Sequence, residues 1–155
     1  MRNIRELGFD SSLVNNVKEK GTPLLGICLG MQMLGNFSTE HGYCEGMGFI
    51  DCAVERFDLK LARMSRVKVP HVGFNTVSVD DGSTLFSGFR DSVDFYFTHS
   101  YRMVCNDTDL VVGSCWHGED FVAAVQKENI YGTQFHPEKS QNNGLKLLKN
   151  FVESA

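Results

Sequence analysis

The sequence predicts one α/β domain over residues 1–155, with a mixed sheet flanked by helices. Three observations favour this class. An apolar run over residues 22–27 passes directly into a helical pattern, several segments alternate apolar and polar residues, and residues 143–153 are typical of an amphipathic helix. The length suits a single domain, and no repeat or linker divides the chain.

Helical patterns open the chain. Residues 2–7 and 12–20 predict two helices, and residues 31–35 predict a third helix directly behind the first strand. That strand is the apolar run that ends at Ile27. Because a helix precedes the first strand, we expect the chain to begin inside a βα unit without its leading strand.

Strands dominate the middle of the chain. β-branched and aromatic residues alternate with other residues in these segments, and turns at residues 80–83 and 87–88 separate several of them. The predicted strands are residues 52–57, 66–69, 75–79, 93–97, 111–115, 121–125 and 129–131. In the closing helix, Leu145, Leu148 and Val152 share one face and predict its apolar side.

Composition excludes several classes of function. The formal net charge is −4 and basic residues form no patch, so neither nucleic acid nor a membrane surface is an expected partner. The longest apolar runs are far too short to span a bilayer, and no apolar stretch follows the first residues as in a signal peptide. We therefore expect a cytoplasmic protein.

The cysteine and histidine patterns indicate neither disulfides nor a metal. The chain has five cysteines and no C-x-x-C pair, and an odd number suits reduced thiols better than a disulfide framework. Four histidines lack the i, i+4 spacing of metal ligands, so we expect polar surface or hydrogen-bonded side chains. The cysteines are Cys28, Cys44, Cys52, Cys105 and Cys115, and these histidines are His41, His71, His99 and His117.

Cys28 stands at the predicted junction of strand and helix, between Gly26 and Gly30. This G-x-nucleophile-x-G spacing is typical of a strained turn that pushes one side chain out of the sheet, where glycines remove Cβ clashes. The helix N-terminus favours the thiolate, so we expect the pKa of Cys28 to fall below that of a free cysteine. The alternative is a buried structural cysteine. Two glycines and a second motif favour the nucleophile.

The second motif is His136-Pro137-Glu138, just after the last predicted strand. Pro137 biases His136 toward extended geometry, in which residues two apart face the same side, so His136 and Glu138 are expected to face one site. His136 would accept the thiol proton of Cys28 and later protonate the leaving group, while Glu138 would hold the imidazole tautomer. Alone, this tripeptide also fits a solvated loop, and the fold must bring the two motifs together.

Four segments together resemble the class I, triad-type glutamine amidotransferases. They are residues 26–32, 68–75, 96–101 and 134–140, and within the family they are most similar to the glutaminase subunits of imidazole glycerol phosphate synthase. The resemblance runs essentially end to end. It implies a flavodoxin-like fold, a triad of Cys28, His136 and Glu138, and no cofactor or metal.

The resemblance also implies a reaction and a partner. Glutamine would be hydrolysed to glutamate and ammonia through a γ-glutamyl thioester on Cys28. The ammonia would pass to a (βα)8-barrel cyclase, the heterodimer partner, which makes imidazole glycerol phosphate in histidine biosynthesis. Residues 68–75, Tyr96 and Lys139 correspond to the surface that faces this partner in the family. Phe74 stands where relatives often carry tryptophan, so that contact is expected to differ in detail.

Individual substrate-binding roles follow from the resemblance. The N–H of Leu29 would be one donor of the oxyanion hole, and Gln32 and Glu40 would bind the glutamine substrate. Ser100 and Tyr101 would offer backbone groups to the substrate carboxylate. On residue type alone, Gln32 equally fits a helix-surface amide, Glu40 fits a polar helix end, and the other two fit cross-strand packing.

One departure from the family concerns the N-terminus. Relatives carry a segment of several tens of residues before the position that matches Met1, with the first strand and a Pro-Gly-x-Gly turn that helps form the oxyanion hole. We therefore expect the domain to lack this strand and this turn. Loss of one oxyanion donor typically lowers a rate about a hundredfold to a thousandfold.

Three alternatives stay open. A sister group works with a cyclase-like partner to amidate sugars for bacterial surface polysaccharides, and residues 55–58 and 69–75 look somewhat closer to that group. A chain without its first strand could instead be a non-catalytic pseudoenzyme that still binds a synthase. A different cysteine hydrolase on the same scaffold is the weakest alternative, because the His-Pro-Glu arrangement argues against it.

Overall fold

The computed structural model describes residues 1–80 and 82–154. The α-helices are α1 (Arg2–Glu6), α2 (Phe9–Leu13), α3 (Leu29–Met33), α4 (Leu59–Met64) and α5 (Gln141–Glu153). The strands are β1 (Leu24–Ile27), β2 (Phe37–Ser38), β3 (Cys44–Glu45), β4 (Cys52–Arg56), β5 (His71–Val79), β6 (Ser92–His99), β7 (Tyr101–Cys105), β8 (Val111–Trp116), β9 (Asp120–Lys127) and β10 (Ile130–Thr133). A π-helical segment, Val14–Glu19, follows α2, and 3-10 turns cover Thr84–Phe86, Thr108–Leu110 and Pro137–Lys139. Within these described ranges, no helix has the length and apolar character needed to cross a membrane.

The described strands form one mixed sheet, as the sequence predicts. Its main path runs β3-β2-β4-β7-β9-β8-β5-β6, and β10 pairs with β9 and with β1. The pairs β1 with β10 and β2 with β4 are parallel. The other pairs are antiparallel.

The parallel pair of β1 and β10 brings the two sequence motifs together. Their four residues pair in register, and the backbone N–H of Cys28 extends the pairing by donating to the Thr133 carbonyl at 2.7 Å. The carboxyl ends of parallel strands meet at one edge of a sheet, where binding sites form in α/β folds. Cys28, directly after β1, and His136, shortly after β10, therefore lie at the same edge.

Two clusters of buried side chains form the core. The larger cluster is rich in phenylalanine and includes Leu147 of α5. The smaller cluster surrounds Met31 of α3. Phe135 belongs to the larger cluster, is fully buried, and stacks on Phe95 with ring centroids 4.0 Å apart. Because Phe135 precedes His136 directly, the core anchors the segment that carries the histidine.

One predicted strand, residues 66–69, is wrong, and α4 and the strands β2, β3 and β7 were not predicted. Asp58 caps α4 by accepting hydrogen bonds from the N–H groups of Lys60 and Leu61. The helix ends at Met64, and the chain turns away at Arg66, whose φ of 58° lies in the left-handed region. The N–H of the next residue, Val67, bonds back into the helix, so this segment is a helix exit instead of a strand.

The predicted apolar face of α5 is also wrong. Leu145 and Val152 are 66% and 69% exposed, whereas Leu147 is fully buried and Gly144 is buried as well. Gly144 decides which face turns inward, because a Cβ there would lie 1.7 Å from the carbonyl oxygen of Pro137. The face of α5 that carries Gly144 lies against Pro137. A prediction based only on leucine and valine positions does not detect this face.

Cys52 and Cys105 form a disulfide, so the expectation of five reduced thiols is wrong. They face each other across the antiparallel pair of β4 and β7, with Cα atoms 4.3 Å apart. The two residues are 53 positions apart in the sequence. Because β7 was not predicted, no local spacing indicated this pair. Cys28, Cys44 and Cys115 are free.

Candidate active site

Cys28 lies on a strained turn between β1 and α3. Its φ of 51° and ψ of −105° are dihedrals that residues with a side chain rarely adopt. A Cβ on Gly26 would lie 2.7 Å from backbone atoms of Gly30 and Met31, so only glycine permits this close approach. A Cβ on Gly30 would meet nothing within 4 Å. The expectation that both glycines relieve clashes is therefore right for Gly26 and wrong for Gly30.

The thiol of Cys28 is partly buried and has two hydrogen-bond partners. It lies 3.9 Å from the Thr98 carbonyl, to which the thiol donates, and 3.7 Å from Gln134 Nε2, which donates to the sulfur. Burial raises the pKa of Cys28 above its usual value, although the N–H of Leu29 and the Gln134 amide act in the opposite direction. The expected lowering of this pKa is wrong, because desolvation by burial outweighs these hydrogen bonds.

His136 and Glu138 face each other, as expected, although only His136 is extended and Glu138 lies in the 3-10 turn Pro137–Lys139. His136 has extended dihedrals, φ −102° and ψ 97°, and its Nδ1 lies 2.6 Å from Glu138 Oε1. The backbone N–H of His136 donates to the Tyr96 carbonyl at 2.8 Å, which ties this segment to β6. Because a carboxylate only accepts, Nδ1 carries the proton in the neutral ring and Nε2 is left as an acceptor.

The acceptor nitrogen of His136 is buried and unsatisfied. Nε2 has no hydrogen-bond partner among residues 1–80 and 82–154. Buried polar atoms without a partner are rare, because they lose water and gain nothing in exchange. An atom of this kind at the sheet edge that also holds the Cys28 thiol indicates a site for proton transfer.

A pocket of about 190 Å³ opens beside the Cys28 turn. Its lining includes three of the predicted substrate-binding residues, Leu29, Gln32 and Glu40. Ser100 and Tyr101 are not among its lining residues. Tyr101 contacts the site indirectly, through a carbonyl that accepts from Gln32 Nε2 at 3.0 Å.

Gln32 is held in place by two hydrogen bonds. Besides the bond to Tyr101, its Nε2 donates to Gln134 Oε1 at 2.9 Å. Both hydrogens of the amide are therefore used, which excludes the alternative of a solvated helix-surface amide. Glu40 lies beyond β2 and not directly behind α3, and it is exposed at the mouth of the pocket.

The three predicted partner-facing side chains form one patch, the Phe74 patch. Phe74 on β5 and Tyr96 on β6 are cross-strand neighbours, with ring centroids 5.6 Å apart. Lys139 Nζ lies 5.9 Å from the centroid of the Tyr96 ring. Phe74 is 52% exposed, and Val72, on the same face of β5, is 58% exposed. The patch thus presents aromatic and apolar surface next to the His136 segment.

Sequence reasoning missed two direct neighbours of the nucleophile, Thr98 and Gln134. Both lie in segments quoted for the family resemblance, yet neither received a role. The signal for Gln134 was its position two residues before His136, within the same quoted segment. Thr98 acts through its backbone carbonyl, and no sequence pattern indicates such a contact.

Comparisons with known proteins place these observations in a family. The family model described as "Glutamine amidotransferase class-I" matches residues 3–155. The chain is 45% identical over 152 residues to "Imidazole glycerol phosphate synthase subunit HisH 1" of Campylobacter jejuni, covering 98% of this chain and 73% of that protein. It is 46% identical over 155 residues to "Imidazole glycerol phosphate synthase subunit HisH" of Herpetosiphon aurantiacus, covering 100% of this chain and 70% of the relative.

A solved structure is similar in fold. The glutamine amidotransferase of Thermotoga maritima superposes with a TM-score of 0.63 at 19% identity, covering 99% of this chain and 55% of that one. At this identity the likeness concerns the fold alone. The family model and the two relatives cover nearly all of the sequence, so the resemblance inferred from four segments is confirmed. The chain belongs to the class I glutamine amidotransferases.

Proposed function

We propose that this chain is a glutaminase subunit, which hydrolyses glutamine and supplies ammonia to a synthase that makes imidazole glycerol phosphate in histidine biosynthesis. The observation that carries the proposal is that Cys28 and the unsatisfied His136 follow the neighbouring parallel strands β1 and β10 and so lie at the same sheet edge. The names of the two relatives, both subunits of that synthase, support the choice of pathway.

The first step is transfer of the Cys28 proton to His136. Burial raises the pKa of the thiol, so Cys28 is protonated at neutral pH and needs a base. Nε2 of His136 is that base, and Glu138 holds the tautomer that leaves Nε2 free to accept. The resulting thiolate attacks the amide carbonyl carbon of glutamine.

The remaining steps return every proton. The tetrahedral intermediate carries negative charge on the former carbonyl oxygen, and the N–H of Leu29 donates to it. His136 gives its proton to the departing nitrogen, so ammonia leaves and a γ-glutamyl thioester remains on Cys28. His136 then removes a proton from water, which attacks the thioester. Glutamate leaves, and His136 returns its proton to the sulfur of Cys28, which restores the thiol.

The substrate is proposed to lie in the pocket beside α3. Glu40 supplies an exposed carboxylate in the lining, which suits the α-amino group of glutamine, and Leu29 lines the pocket directly after Cys28 in the chain. Backbone contacts from Ser100 and Tyr101 to the substrate carboxylate stay predictions.

The partner is proposed to be a (βα)8-barrel cyclase that covers the Phe74 patch as the second subunit of a heterodimer. Ammonia in water at neutral pH is mostly ammonium, so a closed junction is needed to channel the reactive form. The presence of Cys28, His136 and Glu138 together favours catalysis over a partner-binding pseudoenzyme. Sugar amidation and a cytoplasmic location stay predictions.

A glutamine-mimicking electrophile tests the proposed function. We expect it to label Cys28 and to spare Cys44 and Cys115, because Cys28 stands on the strained turn at the same sheet edge as His136, the proposed base. Cys44 also lines the pocket, and Cys115 is buried. Mass spectrometry of the labelled chain, with its synthase partner present, locates the adduct. Excess glutamine should prevent the labelling. Adducts on Cys44 at the same rate, or labelling that glutamine does not reduce, would contradict the proposal.

Lys139→Ala tests the partner surface. We expect a rise in the ratio of ammonia released to product aminated, because the side chain borders the proposed exit and contacts Tyr96. Glutamine hydrolysis itself should change less than this ratio. Lys149→Ala is the matched control, since Lys149 is exposed on α5 and pairs only with Glu153 among the described residues. An unchanged ratio in Lys139→Ala would show that Lys139 has no part in the transfer of ammonia to the partner.

A further inference from the structure

Gln134 is a fully buried amide beside the nucleophile, and the mechanism above gives it no task. Its backbone N–H donates to the Ala123 carbonyl at 2.8 Å, which fixes the residue to β9. Its side chain has one partner at each end. Oε1 lies 2.9 Å from Gln32 Nε2, and Nε2 lies 3.7 Å from Cys28 Sγ.

The carbonyl of Tyr101 determines which end of each amide points where. A carbonyl oxygen only accepts, so the Gln32 atom 3.0 Å away is the amide nitrogen. The same nitrogen lies 2.9 Å from Gln134, so it faces the oxygen of that amide. The NH2 group of Gln134 therefore points at the sulfur of Cys28. Reversal of either amide would place two donors or two acceptors face to face.

The Tyr101 carbonyl is also bonded by buried His99, which is in turn bonded by buried His71. His99 Nδ1 donates to the carbonyl at 2.8 Å, so His99 Nε2 accepts from His71 Nδ1 at 3.1 Å. His71 Nε2 in turn accepts from Asn75 Nδ2 at 3.2 Å. Burial lowers the pKa of His71 to about 3 and that of His99 to about 4. Both rings are thus neutral at neutral pH, with the one donor and one acceptor that this chain of bonds requires.

We propose that Gln134 is a further catalytic residue, whose amide N–H donates to the sulfur of Cys28 and stabilises the thiolate, and that Gln32 is the positioning residue that orients it. The inference rests on the proposed function, because it concerns the same nucleophile. A hydrogen bond to an anion is stronger than one to the neutral group, so this donor favours the ionised sulfur. This hydrogen bond offsets part of the rise in the pKa of Cys28 that burial causes. Two nearby charges also act on this pKa: Glu138 disfavours the thiolate, and Lys139 favours it.

Alkylation of Cys28 by iodoacetamide tests the proposal without glutamine turnover, because the thiolate is the reacting form. We expect Gln134→Glu to slow this alkylation about tenfold or more at pH 8, since the donor is lost and a like charge is added. The rate profile against pH should shift to higher pH. Exposed Cys44 on the same chain is the internal reference, and mass spectrometry should show its rate unchanged.

Gln126→Glu is the matched control. Gln126 lies on β9, its amide bonds the side chains of Ser83 and Thr84, and the same substitution there should leave the Cys28 rate unchanged. Gln32→Met is the second variant and serves if Gln134→Glu does not fold, because it removes the donor that orients Gln134. We expect it to slow Cys28 alkylation about threefold.

Two results would overturn the proposal. One is an unchanged dependence of the Cys28 alkylation rate on pH in the folded Gln134 or Gln32 variant. The other is an equally slow alkylation of Cys28 in Gln126→Glu, which would show that an added carboxylate slows the reaction wherever it is placed. The proposed function is judged separately, by labelling with the glutamine-mimicking electrophile and its prevention by glutamine.

Discussion

Cys28→Ala will release no ammonia from glutamine, and His136→Ala will lower the rate about ten-thousandfold or more. The thiol is protonated at neutral pH because burial raises the pKa of Cys28, so the nucleophile and its base depend on each other. Residues that act as one unit have non-additive effects. The double variant should therefore be no slower than Cys28→Ala alone. Ammonia release by the chain with its synthase partner is the measurement.

Cys115→Ala is the control for the loss of a thiol. Burial raises the pKa of Cys115 to about 12, so this cysteine is not ionised at neutral pH and should not contribute to turnover. Its removal is expected to leave the catalytic rate close to that of the natural chain. Ammonia release by Cys28→Ala at the natural rate would exclude the assigned nucleophile. Natural activity in His136→Ala would exclude the assigned base.

Gly144→Ala is expected to lower the free energy of unfolding by about 3 kcal/mol and to reduce glutaminase activity. The added Cβ would lie 1.7 Å from the carbonyl oxygen of Pro137, so α5 or the Pro137 segment must move. Pro137 stands between His136 and Glu138, and its displacement disturbs the 2.6 Å contact of the two side chains. Urea unfolding and ammonia release measure the two effects.

Leu145→Ala is the control that distinguishes the effect of this close contact from a general loss of stability by any substitution in α5. Leu145 is 66% exposed and directly follows the glycine, so its truncation should change stability by no more than about 0.5 kcal/mol. Natural activity should persist. A Gly144→Ala variant as stable as Leu145→Ala would show that the helix does not approach the His136 segment as closely as described.

The parts of the site that the sequence predicts depend on local geometry. The turn at Cys28 follows from a strand that ends before a glycine-flanked residue. The contact of His136 with Glu138 follows from their separation by a single residue, although Glu138 lies in a 3-10 turn and not in an extended segment. Both arrangements need only a few neighbouring residues. The resemblance to the family then supplied the fold that brings the two distant segments together.

The parts that could not be predicted depend on contacts between distant segments. The inward face of α5 is set by the approach of Gly144 to Pro137, and the disulfide is set by the pairing of β4 with β7. The pKa of Cys28 was misjudged for the same reason. A helix N-terminus is visible in the sequence, whereas the burial that outweighs it exists only after the sheet has formed.

The pairing of β1 with β10 also sets when the catalytic centre comes into existence during synthesis. In the sequence, 106 positions separate Cys28 from Gln134. At about 5–20 residues per second, a ribosome needs roughly 5–20 s to cover that distance. During this time the nascent chain carries the thiol without its base or its amide donor. With His136 as the proposed base, we expect glutamine hydrolysis to start only after β10 has joined the sheet.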